Sequence, residues 1–136
     1  MKILLDTHVF IWYVNGNTEI GKRLKNQIDE AIQSHSIYLA SISLWEISML
    51  DMKQRIILEM PCLEWINCAI EETHTQVLPI TPTIAVESSN LPGKFHGDPA
   101  DRLIVATARA EGLVLATRDA NILDYGKSKL LSVLKV

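Results

Sequence analysis

Five carboxylates are placed where they could act together: Asp6, Glu46, Asp98, Asp101 and Asp119. Each adjoins the end of a short apolar run or the start of a helix-forming stretch. Carboxylates gathered in one place repel, and some stay protonated unless a cation compensates them. Hard oxygen ligands of this kind suit Mg²⁺ or Mn²⁺. An ion so held activates a water and stabilises charge on a phosphoryl group in transfer, alone or as one of a pair. The reaction implied is phosphodiester hydrolysis by metal-bound water, with no covalent intermediate on the protein.

The elements that must position these acids follow from apolar patterning. Residues 2–5 read as a buried strand ending at Asp6, followed by a short helix over 9–14 that stops at Asn15-Gly16-Asn17. Residues 18–34 are amphipathic, with Ile20, Leu24, Ile28 and Ile32 spaced by four. Residues 37–40 predict a second strand, and Ser43 opens a helix reaching Met52, which puts Glu46 in its first turn. A further helix follows Pro61 as its first residue. Residues 77–80 predict a strand, and a helix starts at Pro82 or Thr83.

After a loop over 91–97, a helix runs from Asp98 to Glu111, with Leu103, Val105, Ala106 and Ala110 inward and Gly112 as its stop. Residues 113–116 predict a fourth strand, Asp119 begins a short helix, and 131–134 predict a last strand. Alternating strands and helices mean a parallel sheet covered on both faces. In such sheets ligands bind at the carboxyl ends of the strands. Asp6, Glu46 and Asp119 all fall on that edge. Asp98 and Asp101 join them because a crossover helix begins there.

A second role competes for each acid. Ser43-Leu44-Trp45-Glu46 fits a capping box. Asp98-Pro99-Ala100-Asp101 fits an N-cap, a proline at the first position and an acid in the first turn. Asp6 and Asp119 also suit caps. Capping and metal binding can coexist, and amide substitution separates them, since Asp→Asn keeps much of a cap and removes the charge.

Length and composition set bounds. The 136 residues suit one domain spanning 1–136, and 48% apolar residues suffice for a core. The run over 9–14 is too short to span a bilayer and no secretory stretch opens the chain, so a soluble cytoplasmic protein is expected. Cys62 and Cys68 share one expected helix without a CxxC pair, and read as free thiols in a reducing compartment. The net charge of −3 argues weakly against nucleic acid. With the five acids set aside, eleven acids face thirteen basic residues, and the rest of the molecule carries +2.

At these residues the sequence resembles the PIN-domain family, and within it the VapC-type toxins of toxin–antitoxin pairs. Leu4-Leu5-Asp6-Thr7-His8 is similar to the family's opening strand and first acid, and residues 41–47 (Ser-Ile-Ser-Leu-Trp-Glu-Ile) to its second acidic motif. Residues 96–108, from His-Gly-Asp-Pro-Ala-Asp-Arg-Leu onward, resemble the third, and Leu115-Ala116-Thr117-Arg118-Asp119 the fourth. The resemblance makes Asp6, Glu46, Asp101 and Asp119 the core acids, with Asp98 a secondary acid or a helix cap. It implies a three-layer α/β fold with a central, mainly parallel sheet of four to five strands flanked by helices. It also implies Mg²⁺- or Mn²⁺-dependent endoribonuclease activity, RNA as substrate, a homodimer, and a small antitoxin that blocks the site.

Thr7 and Thr117 adjoin two core acids, where a hydroxyl could hold a carboxylate or a metal-bound water, or close a local turn. Arg102, Arg118, Lys94 and His96 lie near the site in sequence as candidates for RNA phosphates, or as surface residues. The four histidines lack ligand spacing, so none is assigned to metal. Trp12, Trp45 and Trp65 suit core or interface positions, with stacking on bases as the other role.

Three rival functions remain to be weighed. A phosphatase with a strand-end Asp nucleophile wants a second Asp two positions on, where this chain has His8. A receiver domain wants an acidic pair near Asp6 and a well-placed late lysine, and Lys127 follows a glycine instead. A non-catalytic PIN module that binds RNA or protein should have lost core acids, and all of them are present.

Overall fold

Ile3, Leu4 and Leu5 are all buried, and the two faces of this one strand divide the interior. Ile3 and Leu5 enter one apolar cluster and Leu4 enters the other, as alternate side chains of a strand must. A strand apolar on both faces has to be covered on both. The computed structural model describes residues 1–136.

The first strand, β1 (Ile3–Leu5), leads into α1 (Thr7–Val14) and α2 (Lys22–Gln33). Next come β2 (Ile37–Ala40), α3 (Ser41–Met52), α4 (Cys62–Thr73) and β3 (Gln76–Leu78). The second half holds α5 (Pro82–Ser89), α6 (Pro99–Glu111), β4 (Val114–Thr117), α7 (Ala120–Gly126) and β5 (Val133–Lys135). All five strands are parallel, in the order β3-β2-β1-β4-β5.

One cluster joins β1 to α1, α2, Ile47 of α3, and Trp65 and Ala69 of α4. The other joins Leu4 and Leu115 to Ile84 of α5, the inner side of α6, and Ile122 and Tyr125 of α7. Helices therefore flank a central parallel sheet on both faces, the α/β arrangement the alternation predicts. No helix is long and apolar enough to cross a membrane. Cys62 and Cys68 are free thiols on α4.

Several boundaries differ from the expectation. The helix expected at Ser43 begins at Ser41, because β2 runs straight into it and Ala40 serves as its N-cap residue without a side-chain bond. Ser43 is thus no cap, and Glu46 lies in the second turn. Pro61 is the residue before α4 and not its first. The stretch 18–21 stays outside α2. The last strand begins at Val133 and not at 131. Ala110 is exposed, and the inner side of α6 is instead Ala100, Ile104, Val105, Ala106, Thr107 and Ala108. Gly112 ends α6 in the left-handed conformation at φ 65, which a residue without Cβ adopts at little cost.

Leu4 lies on the central strand with no exposed surface. Leu4→Ala should lower the unfolding free energy by about 2–5 kcal/mol, read from the urea midpoint at unchanged slope. A loss below ~1 kcal/mol would mean that the two-faced core is misassigned.

Candidate metal and phosphate site

The strand order reverses direction between β1 and β4: from β1 the chain moves outward to β2 and β3, then returns to the other side for β4 and β5. At such a switch point the adjoining loops diverge and leave a crevice at the carboxyl ends of the strands. Asp6 follows β1, and Thr117 ends β4 with Asp119 two residues on. The N-terminus of α6 brings Asp98 and Asp101 to the same edge, and α3 brings Glu46. A cavity of about 430 Å³ opens there, and all five acids line it.

Three of the acids close helices at the same time. Asp6 Oδ1 accepts the Thr7 N–H at 2.9 Å, Asp98 Oδ1 accepts the Asp101 N–H at 2.8 Å, and Asp119 Oδ1 accepts the Ile122 N–H at 3.0 Å. The caps use one oxygen each. The N-termini of α1, α6 and α7 thereby face the crevice with the positive ends of their dipoles.

The two threonines each serve an acid from another motif. Thr117 donates to Asp6 Oδ2 at 2.6 Å and accepts the Asp119 N–H at 3.0 Å, joining the ends of β1 and β4. Thr7 Oγ1 lies 2.6 Å from Glu46 Oε1 and 2.8 Å from Ser43 Oγ. A hydroxyl has one proton. With Glu46 ionised, Thr7 donates to the carboxylate and accepts from Ser43. Ser43 is fully buried, and sequence reasoning assigned it to a cap. Its signal, a hydroxyl three residues before an acid, is the same in both roles.

Crowding shows in the acids' proton affinity. Burial raises Asp6, with Asp119 adding to it, against the opposing bonds from Thr117 and Thr7. Burial also raises Glu46, helped by Asp6 and Asp98 and opposed by the Thr7 hydroxyl. Asp101 is pushed up to about 7, first by burial and then by Asp98, Asp6, Asp119 and Glu46. No three of these groups close a shell around an ion. They line an open crevice, which suits an ion that keeps several of its waters. The all-oxygen donor set and the raised proton affinity of Asp101, which a nearby cation would relieve, both fit a divalent cation at this place. The residues that would hold it are Asp6, Glu46, Asp101 and Asp119, with Asp98 beside them.

The lining also includes the basic and aromatic residues His8, Trp12 and Arg118. Arg102 is elsewhere. Its guanidinium donates to the Ser88 and Phe95 carbonyls at 3.2 and 3.3 Å and lies over the Phe95 ring, so it fastens the 91–97 loop. Gly97 lets that loop close, since a Cβ there would strike the Phe95 ring. Lys94 and His96 do not line the crevice. Trp65 is buried in the core, whereas Trp45 is 54% exposed on α3.

The PIN domain family matches residues 3–128, and the chain belongs to that family. Within it, the chain is 35% identical to ribonuclease VapC22 of Mycobacterium tuberculosis over 132 residues, 96% of this chain and 97% of that one. Its fold is similar to that in the VapBC2 complex of Rickettsia felis bound to a promoter DNA fragment. That match has a TM-score of 0.72 and 16% identity, and covers 100% of this chain and 99% of the other. The FitAcB structure from Neisseria gonorrhoeae gives 0.64 and 23%, covering 97% and 96%.

The raised affinity of Asp101 sets a pH dependence. Its folded value of about 7 lies above the ordinary 3.8, so its contribution to stability is complete below the ordinary value and is lost as pH rises through the folded one. Without metal, Asp101→Asn should therefore melt above the parent at about pH 8, with the gap closing towards about pH 4. Equal melting at the higher pH would sink this reading. Thr7→Val should keep the fold and weaken Mn²⁺ binding by roughly 10–100-fold in calorimetry.

Proposed function

We propose that this chain is a metal-dependent endoribonuclease of the VapC type, a toxin that cuts RNA and is held inactive by a small antitoxin. The observation that carries this reading is the convergence of Asp6, Glu46, Asp98, Asp101 and Asp119 on one crevice at the topological switch point. The likeness to ribonuclease VapC22 over nearly the whole chain supports RNA as the substrate. Solved structures described as toxin–antitoxin complexes support the antitoxin, and a homodimer is part of the proposal. A non-catalytic module has no need of all the acids, and this chain retains them.

A bound Mg²⁺ or Mn²⁺ would supply an activated water and charge compensation for a phosphoryl group. The protein's part is to hold the carboxylates in register. Thr117 fixes the second oxygen of Asp6, Thr7 fixes Glu46, and the caps fix Asp98 and Asp119. The helix N-termini offset the like charges, so the acids can stay close with little rearrangement. Arg118, which also lines the crevice, is the proposed RNA contact. Arg102 does not line the crevice.

Purified protein incubated with mixed RNA and Mg²⁺ or Mn²⁺ should cut it, and a chelator should stop the cutting. Asp6→Asn should lower the rate at least ~100-fold, the upper end of what even residues behind the ligands are worth. Cutting that survives chelation or this substitution would overturn the proposal. Expression should arrest growth, and co-expression of the adjacent gene's product should relieve it.

A further inference from the structure

The crevice has a charge problem on its substrate side. Five carboxylates line it, and an RNA strand brings more negative charge. Of the residues lining the crevice, only His8 and Arg118 are basic. There the Arg118 guanidinium lies 4.7 Å from the centre of the Trp12 ring, and the His8 ring lies 5.8 Å from the same ring at a tilt of 48°. Arg118 also pairs with the Glu19 carboxylate, donates to the Glu19 carbonyl, and reaches the Val136 carbonyl at 3.4 Å. A guanidinium has five N–H donors. These bonds use three, and two stay free on a side chain that is 41% exposed.

We propose that His8, Trp12 and Arg118 form a phosphate subsite, which holds an RNA phosphate next to the one being cut. This rests on the ribonuclease reading and adds a place for the strand to lie. The pinning is the argument. A guanidinium that only balanced surface charge would not need a ring beneath it, a carboxylate beside it and two carbonyls around it. Held in this way, Arg118 has lost its side-chain freedom before RNA arrives, and its two remaining N–H donors can serve phosphate oxygens. Glu19 does not cancel this role. It takes two of the five donors, and Arg118 still lines the crevice. His8 follows Thr7 on the first turn of α1, which keeps its ring on the same wall as the pinned cation.

The test is RNA binding against salt. The Asp6→Asn protein, which should bind without cutting, is titrated into a fluorescent single-stranded oligoribonucleotide over a series of KCl concentrations at fixed Mg²⁺. Adding Arg118→Gln should flatten the slope of log affinity against log salt by about 0.7, the value of one single-strand phosphate contact. Arg118→Lys should keep the slope and weaken binding, since it keeps the charge and loses the fork and the stack. Trp12→Leu should weaken binding at low salt by roughly two- to thirtyfold, the span such a cation–π contact is worth.

An unchanged slope in a folded Arg118→Gln protein would overturn the proposal. If that variant does not fold, an unchanged affinity in Trp12→Leu would overturn it. Unmoved RNA binding with weakened antitoxin binding would do the same, and would assign the wall to the protein partner. Failure of the Asp6→Asn parent to bind RNA at any salt would strike the ribonuclease reading itself, and so is separable from failure of the subsite.

Discussion

Repulsion among Asp6, Glu46, Asp98, Asp101 and Asp119 is the force this fold is arranged against. The acids come from four separate stretches of chain and meet at one end of a parallel sheet. Burial makes their charge costlier, and each neighbour raises the cost again, most of all at Asp101. Three compensations are built in: helix N-termini, two threonine hydroxyls, and His8, which lowers the proton affinity of Asp6 and Glu46. Each is a partial charge or a single cation. Together they do not balance five carboxylates, and the remainder is what a divalent ion would supply.

The sheet topology makes this gathering possible. Because β1 is central and the chain departs from it in both directions, the ends of β1 and β4 lie side by side with their following loops splayed apart. Thr117 turns that neighbourhood into a bond by reaching Asp6, 111 residues away in sequence. Thr7 does the same for Glu46 across 39 residues. Each hydroxyl belongs to one motif and serves the acid of another, so the four motifs act as one unit.

Much of this was legible in the chain because the signals are local. Asp98-Pro99 marks the start of α6 by a side-chain cap followed by a residue without N–H, and Gly112 marks its end. The apolar runs at 3–5 and 37–40 declare doubly covered strands. What escaped had non-local causes. Ser43 looks like a cap, but β2 enters α3 without a loop and places the helix start two residues earlier. The left-handed turns at His35 and His74 carry no glycine to announce them. Arg102 and Arg118 both follow an acid or precede one, yet only their partners in space, Phe95 for one and Trp12 with Glu19 for the other, decide which of them faces the crevice.

The double duty of Asp6, Asp98 and Asp119 has an evolutionary consequence. One oxygen of each keeps a helix end closed, and the carbonyl of an asparagine can do that equally well. A single base change converts an aspartate codon to an asparagine codon. On the proposed reading, such a change at Asp6 or Asp119 would extinguish the chemistry while keeping the cap, and would relieve the scaffold of a charge. Lineages built on this plan can therefore shed toxicity in one step and keep a folded, partner-binding relic, which evolves under different selection from the enzyme that preceded it.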